Sequence, residues 1–203
     1  MTPFLIAVAA YLLGSISFAV VVSRAFGLPD PRSYGSQNPG ATNVLRTGRK
    51  PAAALTLLGD SAKGFIAVYL AARFAGGEAV ETSMAAAGVA VVVGHIYPMF
   101  FRFQGGKGVS TVLGVLFALN VYVAIGAAAT WLMIAVFFRI SSLAALISAV
   151  FAPFFTIFIY KDPMHPFFIG VTVMAALLVW RHKENIRKLL AGTESRIGKK
   201  SAS

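Results

Sequence analysis

Long apolar runs constrain the fold of this chain more than any other feature. They occupy residues 3–22, 51–74, 83–101, 142–160 and 166–180. Because an α-helix rises about 1.5 Å per residue, roughly 20 apolar residues cross a hydrocarbon core of about 30 Å. The hydrophobic fraction is 58% and the charged fraction 12%, whereas soluble domains have about 45–50% apolar and about 25% charged residues. The chain is therefore expected to be an all-α polytopic membrane protein.

The stretch 109–138 decides the number of crossings. As one helix it would be about 45 Å long, too long for an untilted span, but a cut near residues 120–122 gives two short helices. Fifteen of the 18 Lys and Arg residues lie in four clusters, at 23–50, at 102–108, at Arg139 and from Arg181 onward. Two crossings put all four clusters on the cytoplasmic side, as the positive-inside rule favours, whereas one crossing leaves the last cluster outside.

The sequence thus predicts seven transmembrane helices, of which the fourth and fifth are short. The N-terminus is predicted to lie outside and the C-terminus in the cytoplasm. Residues 1–203 are expected to form a single integral-membrane domain, with residues 181–203 as its cytoplasmic tail.

The loop after the first span, residues 34–46, is rich in small and amide residues. Its candidate functional residues are Ser36, Asn38, Asn43 and Arg46. Glycines in such a loop let backbone N–H groups approach a ligand, and Ser and Asn side chains supply directed hydrogen bonds. The loop therefore suits an anion, and a capped turn with a surface arginine is the alternative interpretation.

A second loop places Gly105, Gly106, Lys107 and Gly108 directly before an apolar run. Glycine amides and a lysine at the start of a helix can surround a phosphate. The loop is not a nucleotide-binding P-loop, because Phe101 stands where that motif requires a glycine. A basic turn without a ligand is the alternative.

Two further pairs of residues have helical i, i+3 spacing. Asp60 and Lys63 lie inside an apolar run, where charged groups are costly and are usually paired or functional. They form either a structural ion pair or, through Lys63, part of a phosphate site. His182 and Asn185 share a helix face in the basic tail and are either site residues or part of a solvated surface.

Several classes of chemistry are excluded by what the chain lacks. It has no cysteine, which excludes thiol catalysis and disulfides. No histidine is followed by aspartate five residues later, so the His-x4-Asp pair of many glycerolipid acyltransferases is absent. The three aspartates do not form a metal-binding motif. We therefore predict no metal and no cofactor, with phosphate charge met by Lys, Arg and backbone N–H groups.

Three motifs in this order resemble those of the PlsY family, the bacterial acyl-phosphate:glycerol-3-phosphate acyltransferases. They are Gly-Ser-Gln-Asn-Pro-Gly-Ala-Thr-Asn at 35–43, Gly-His-Ile-Tyr-Pro at 94–98 with Phe-Gln-Gly-Gly-Lys-Gly-Val-Ser-Thr at 103–111, and Arg-His-Lys-Glu-Asn-Ile-Arg at 181–187 with Gly-Thr-Glu at 192–194. The likeness runs from end to end. Departures are Ser17, where members often have proline, and Ser110, where alanine is common.

The resemblance implies a seven-helix enzyme of phospholipid biosynthesis in the bacterial inner membrane, with its active site on the cytoplasmic side. Such an enzyme transfers an acyl chain from acyl phosphate to the 1-hydroxyl of sn-glycerol 3-phosphate, giving lysophosphatidic acid and phosphate. Its expected partners are these two substrates, membrane lipid and, transiently, the enzyme that makes the acyl phosphate.

The residues and the resemblance together predict a set of site residues. The predicted catalytic residues are Ser36, Arg46, His182 and Asn185; the predicted phosphate-binding residues are Asn38, Asn43, Lys63, Gly105, Gly106, Lys107 and Gly108; Asp60 and Glu194 are predicted to be structural, Glu194 by pairing a cation of the tail. Either His182 or a substrate phosphate is the predicted base.

Two alternatives stay open from the sequence. An anion transporter would use the same basic loops, although no inverted repeat is evident. A nucleic-acid-binding membrane protein would fit the net charge of +11. Outside the short stretch 100–103, however, the basic loops lack interleaved aromatic residues, so we expect no nucleic acid partner.

Overall fold

The computed structural model describes residues 2–197, and all of their regular secondary structure is helical. The helices, in chain order, are α1 Pro3–Gly14, α2 Phe18–Ala25, α3 Ala41–Leu45, α4 Lys50–Phe74, α5 Val80–Ile96, α6 Val109–Leu119, α7 Val121–Phe138, α8 Ser141–Tyr160, α9 Pro166–Arg181 and α10 Lys183–Leu190. Short 3-10 turns occupy Gly77–Ala79 and Met99–Phe101. The predicted all-α class is therefore confirmed.

Five segments of the described chain are long and apolar enough to cross a membrane. They are Pro3–Ala25, Lys50–Phe74, Gly77–Phe101, Val121–Phe138 and Ser141–Tyr160. The apolar helices α6 and α9 are shorter. Helix α6 has 11 residues and is short as predicted, but the prediction that α7 is short was wrong, because it has 18 residues.

Asn120 separates α6 from α7, close to the predicted cut. Its backbone is extended, and its side-chain oxygen accepts hydrogen bonds from the backbone N–H groups of Tyr122 and Val123 at 2.9 and 3.2 Å. This is an N-cap, which satisfies amides that the first turn of a helix leaves without partners. A new helix therefore begins here, and residues 109–138 do not form one 30-residue helix.

The first apolar run is broken, a feature that its hydropathy did not reveal. Helix α1 ends at Gly14 and α2 begins at Phe18. The Lys63 ammonium donates to the carbonyl oxygens of Gly14 and Ile16 at 2.9 and 2.6 Å and pairs with Asp60 at 2.8 Å. A lysine ammonium has three hydrogens, so these partners use all of them. Lys63 has none left for a phosphate, which favours the structural ion pair over the phosphate site as the role of Lys63.

Close helix packing depends on glycines that face the backbone of a neighbouring helix. A Cβ on Gly94 of α5 would meet the Tyr11 carbonyl oxygen of α1, and a Cβ on Gly64 of α4 would meet the Thr111 carbonyl oxygen of α6. Small residues allow such backbone contact between apolar helices. This packing fixes the ends of α5 and α6, and with them the loop that joins these helices.

All four basic segments meet at one end of the bundle. Arg46 donates to the Ser195 hydroxyl at 2.7 Å, and the Ile197 N–H donates to the Arg139 carbonyl at 2.6 Å. The opposite end holds less charge, with an Asn120 to Tyr160 hydrogen bond of 3.1 Å. The four clusters of Lys and Arg residues, which the sequence predicts to share one side of the membrane, thus lie together in the structure.

Candidate active site

A cleft of about 230 Å³, here called the Lys107 cleft, lies at the basic end of the bundle. It is bounded by the loop after α2, the loop before α6 and the junction of α9 with α10. Its lining residues are Ser36, Gln37, Asn38, Gly105, Lys107, Trp180, Arg181, Lys183, Glu184, Asn185 and Lys188. Four of them are cationic and one is anionic, so the cleft is suited to a negatively charged ligand.

The glycine loop forms one wall of the cleft and cannot accommodate larger residues. The Gly106 N–H donates to the His95 carbonyl at 3.1 Å. A Cβ on Gly105 would meet that carbonyl and Pro98, and a Cβ on Gly106 would meet the His95 ring. Gly108 has a φ of 88°, in the left-handed region that favours glycine. Close packing on α5 therefore explains the glycines and places Lys107 in the cleft.

Lys107 begins a chain of polar contacts that ties the loop to the tail. Its ammonium donates to the Asn185 side-chain oxygen. The Asn185 amide donates to Glu194 Oε1 at 2.8 Å, and the Ser142 hydroxyl donates to the same oxygen at 2.9 Å. Within residues 2–197, Glu194 forms no ion pair, and Lys199 and Lys200 of the tail lie outside the described residues, so the pairing of Glu194 with a tail cation stays a prediction. The hydrogen bonds of Glu194 orient Asn185 toward Lys107.

Burial strongly affects the charge of Lys107. The loss of solvent lowers the pKa of Lys107 to about 8, because burial disfavours the charged amine. Nearby Arg181, Lys188 and Arg46 lower this pKa further, whereas the Glu194 carboxylate opposes them. Lys107 is thus mostly a cation at neutral pH, and its charge is easily removed by alkali.

Arg181 supports the glycine loop from α9. Its guanidinium donates to the carbonyl oxygens of Gly105 and Gly106 at 3.3 and 3.4 Å. It also lies over the Tyr97 ring, 5.9 Å from the centroid. The predicted site residues did not include Arg181, which stood out in the sequence only as one more cation of the basic tail.

The first loop is shaped by Asn43, which is 2% exposed. Its amide nitrogen donates to the carbonyls of Pro31 and Tyr34 at 2.7 and 3.2 Å, and its oxygen accepts from the Ser36 N–H at 3.0 Å. Both amide hydrogens are used within the loop, which favours a structural role for Asn43 over the predicted phosphate contact. Asn43 instead holds Ser36 in the wall of the cleft.

His182 is buried at the junction of α9 with α10 and is 2% exposed. Its Nδ1 lies 2.7 Å from the Leu178 carbonyl, which can only accept, so Nδ1 carries the proton and Nε2 has a free lone pair. Burial lowers the pKa of His182 to about 4, and the Lys107 charge adds to this effect. The ring is therefore neutral at pH 7.

The structure brings only part of the predicted set into the cleft. Its walls contain Ser36, Asn38, Gly105, Lys107 and Asn185. Outside the lining, Gly106 and Gly108 shape the loop, Arg46 bonds to the tail, and His182 is buried at the junction of α9 with α10.

Asp60 and Lys63 lie apart from the cleft inside the bundle. Asp60 approaches His95 Nδ1 at 3.5 Å, and His95 also contacts the Thr111 hydroxyl at 3.2 Å. Because the His95 carbonyl accepts a hydrogen bond from the Gly106 N–H, this buried group of side chains helps to hold the glycine loop in position.

Sequence reasoning missed several lining residues. These are Gln37, Trp180, Arg181, Lys183, Glu184 and Lys188. The four charged residues after Trp180 were visible only as a basic tail, and the contact of Ser142 with Glu194 had no local signal. Within residues 2–197, no group of three or more His, Cys, Asp or Glu residues could hold a metal ion.

Comparison with known proteins shows what this chain is similar to. The profile of a family described as glycerol-3-phosphate acyltransferase matches residues 4–192. The chain belongs to the glycerol-3-phosphate acyltransferase family. A glycerol-3-phosphate acyltransferase of Burkholderia thailandensis is 61% identical, covering 95% of both chains. One of Burkholderia pseudomallei is 60% identical, covering 95% of this chain and 94% of the relative.

Two solved structures of this acyltransferase family share the fold. One is PlsY (YgiH), an integral membrane glycerol 3-phosphate acyltransferase, in its glycerol 3-phosphate form. It is 39% identical with a TM-score of 0.88, covering 97% of this chain and 96% of that one. The lysophosphatidic acid form is 38% identical with a TM-score of 0.86 over 97% and 95% of the chains. This chain is thus an integral membrane acyltransferase of glycerol 3-phosphate, an activity that belongs to phospholipid biosynthesis.

Proposed function

We propose that this acyltransferase uses acyl phosphate as its donor and acylates the 1-hydroxyl of sn-glycerol 3-phosphate. The products are lysophosphatidic acid and phosphate. The observation that carries the proposal is the Lys107 cleft, in which cations from two distant chain segments meet at one end of an apolar bundle. Both proposed substrates are phosphorylated and one is lipidic, which fits such a position.

Glycerol 3-phosphate is proposed to bind with its phosphate near Lys107. Arg181, Lys183 and Lys188 also line the cleft and add positive charge, and charge-assisted hydrogen bonds to phosphate are the strong ones. Asn185 accepts from Lys107 and so holds its ammonium in one orientation. Ser36 and Asn38 on the opposite wall supply hydrogen bonds to the substrate.

The proposed reaction is a direct attack without an acyl-enzyme. The glycerol hydroxyl oxygen forms a bond to the acyl carbonyl carbon, and the bond from that carbon to the phosphate oxygen breaks. The hydroxyl proton goes directly to the departing phosphate oxygen or reaches it by way of His182 Nε2, so that phosphate leaves as hydrogen phosphate and His182 ends neutral. Acyl phosphate is already activated, so orientation and charge stabilisation suffice. Ser36 and Arg46 position the reactants, and neither a metal nor a cofactor is required.

The proposed membrane arrangement has seven crossings, formed by α1 with α2, then α4, α5, α6, α7, α8 and α9. The N-terminus lies outside and the C-terminus in the cytoplasm, because the basic loops gather at one end. The site then faces the cytoplasm at the bacterial inner membrane. Trp180, which lines the cleft and is 51% exposed, lies where the acyl chain would pass into the bilayer. Transient contact with the enzyme that makes acyl phosphate would follow from this placement.

The test is acyl transfer by the purified protein with acyl phosphate and glycerol 3-phosphate, without coenzyme A or divalent metal. Lysophosphatidic acid and phosphate are expected in equal amounts. Product formed from acyl-CoA but not from acyl phosphate would refute the proposed donor. An acyl group trapped on Ser36 during turnover would refute direct attack.

A further inference from the structure

A second cleft, of about 630 Å³, lies beside the Lys107 cleft and has no part in the proposed reaction. We call it the arginine cleft. It is lined by Val20, Arg24, Asp30, Arg32, Ser33, Phe100, Phe101, Arg102 and Gln104. Gln104 lines this cleft and its neighbour Gly105 lines the other, so the same loop borders both clefts.

The charges of the arginine cleft are only partly neutralised. Arg32 forms a two-pronged contact with Asp30, with Nε to Oδ1 at 2.9 Å and Nη2 to Oδ2 at 2.6 Å. The side chains of Arg24 and Arg102 form no hydrogen bond or ion pair within residues 2–197. Three arginines and one aspartate give the cleft a formal charge of +2. An unpaired charge of this size in a concave surface favours a doubly negative ligand.

Specific contacts and backbone turns hold the walls of the arginine cleft in place. Arg32 lies 5.7 Å from the Phe101 ring centroid, a cation–π distance. The turn that presents Arg102 is closed by a hydrogen bond of 2.9 Å from the Phe103 N–H to the Pro98 carbonyl. Arg102 and Phe103 have φ values of 53° and 59°, which residues other than glycine adopt at a cost.

The apolar surroundings indicate a ligand that is part of the membrane. Val20 and Phe100 belong to two candidate spans, Pro3–Ala25 and Gly77–Phe101, at the ends of which the cleft opens. Phe100 and Phe103 are 57% and 61% exposed. Arginines bordered by exposed aromatic side chains at the end of a span match the boundary between headgroups and acyl chains.

We propose that the arginine cleft binds the headgroup of a membrane lipid that ends in a phosphate monoester, separately from the reaction site. A phosphate monoester carries about −1.5 to −2 charges at pH 7, which matches the formal charge of +2 better than the single charge of a phosphodiester does. The exposed phenylalanines contact the acylated part of the lipid. The proposal does not depend on the acyl donor or on any residue of the Lys107 cleft.

Native mass spectrometry of the full-length protein in detergent tests the proposal, with dioleoyl phosphatidate as the probe. The variant carries Arg24→Gln and Arg102→Gln. The matched control carries Arg49→Gln and Lys50→Gln, which remove the same charge from exposed positions at the same end, outside both clefts. We expect the Kd for phosphatidate to rise at least about tenfold in the variant, the factor that 1.4 kcal/mol represents, and to stay unchanged in the control.

Three comparisons separate the possible outcomes. Equal phosphatidate binding by variant and wild type would overturn the proposal. Equal wild-type affinity for dioleoyl phosphatidylglycerol, a phosphodiester, would overturn the monoester assignment. Acyl transfer in detergent without added lipid should be unchanged in the variant, and a selective rise of its KM for glycerol 3-phosphate would instead assign the cleft to the soluble substrate.

Discussion

The titration of Lys107 predicts how glycerol 3-phosphate use depends on pH. Burial and neighbouring cations hold its pKa near 8, so about nine-tenths of the side chain is charged at pH 7 and about one-tenth at pH 9. The substrate phosphate, with a second pKa of about 6, stays doubly negative throughout this range. If only the charged lysine binds it productively, kcat/KM for glycerol 3-phosphate falls about tenfold between pH 7 and pH 9.

Two substitutions link this pH dependence to Lys107. Lys107→Gln removes the charge and should lower kcat/KM at pH 7 roughly 10- to 100-fold, the equivalent of losing a charge-assisted hydrogen bond of about 1.5–3 kcal/mol. It should also remove the alkaline fall. Lys107→Arg keeps its charge up to pH 12 and should shift the fall beyond the measured range.

The assay is the initial rate of lysophosphatidic acid formation from pH 6.5 to 9.5 at saturating acyl phosphate, with donor hydrolysis measured in parallel. An apparent pKa near 8 that persists unchanged in Lys107→Gln would refute the reasoning, because another group would then titrate. A variant that loses only thermal stability, with kcat/KM intact in the folded fraction, would also refute it.

Three further changes test the remaining parts of the structure. Gly106→Ala should abolish most activity, because its Cβ would meet the His95 ring. The control Gly76→Ala should leave the rate unchanged, since no atom lies within 4 Å of an added Cβ there; equal rates in the two variants would contradict the close packing of the glycine loop. Lys63→Met should lower the free energy of unfolding by about 3–5 kcal/mol, because it removes the lysine that pairs with buried Asp60, and adding Asp60→Asn should recover part of this loss. A raised KM for glycerol 3-phosphate at unchanged stability would instead place Lys63 at the phosphate. Glu194→Leu should lower Tm and kcat together, because the Ser142 hydroxyl and the Asn185 amide lose their acceptor. An unchanged Tm in a thermal unfolding scan would contradict this prediction.

The membrane helices could largely be predicted because their signals are local. The cut near residues 120–122 was predicted from length and charge, and Asn120 marks it with its cap. The break between α1 and α2 could not be predicted, because the free carbonyls of Gly14 and Ile16 are satisfied by a lysine 49 and 47 residues away. Hydropathy measures the average environment of a segment and not the partners of particular atoms.

The candidate site was predicted by residue type better than by role. The glycine loop with Lys107 was recognised because glycines beside a lysine at a helix start have few other uses. Asn43 was assigned to the ligand, but the structure uses both of its amide hydrogens within the loop. Arg181 was overlooked because nothing local distinguishes it from the other cations of the tail.

By itself, the sequence determined that this chain forms apolar helices, that its cations share one end, and that its polar loops suit phosphate. These properties depend on composition and spacing, which act over one helix at a time. Only the tertiary structure decided which cations are available to a ligand. Lys63 is enclosed by carbonyls, whereas Lys107 meets Asn185 across 78 residues in an open cleft. The physical reason is that a polar group is free to bind only when folding leaves it without a complete set of internal partners, and those partners come from distant parts of the chain.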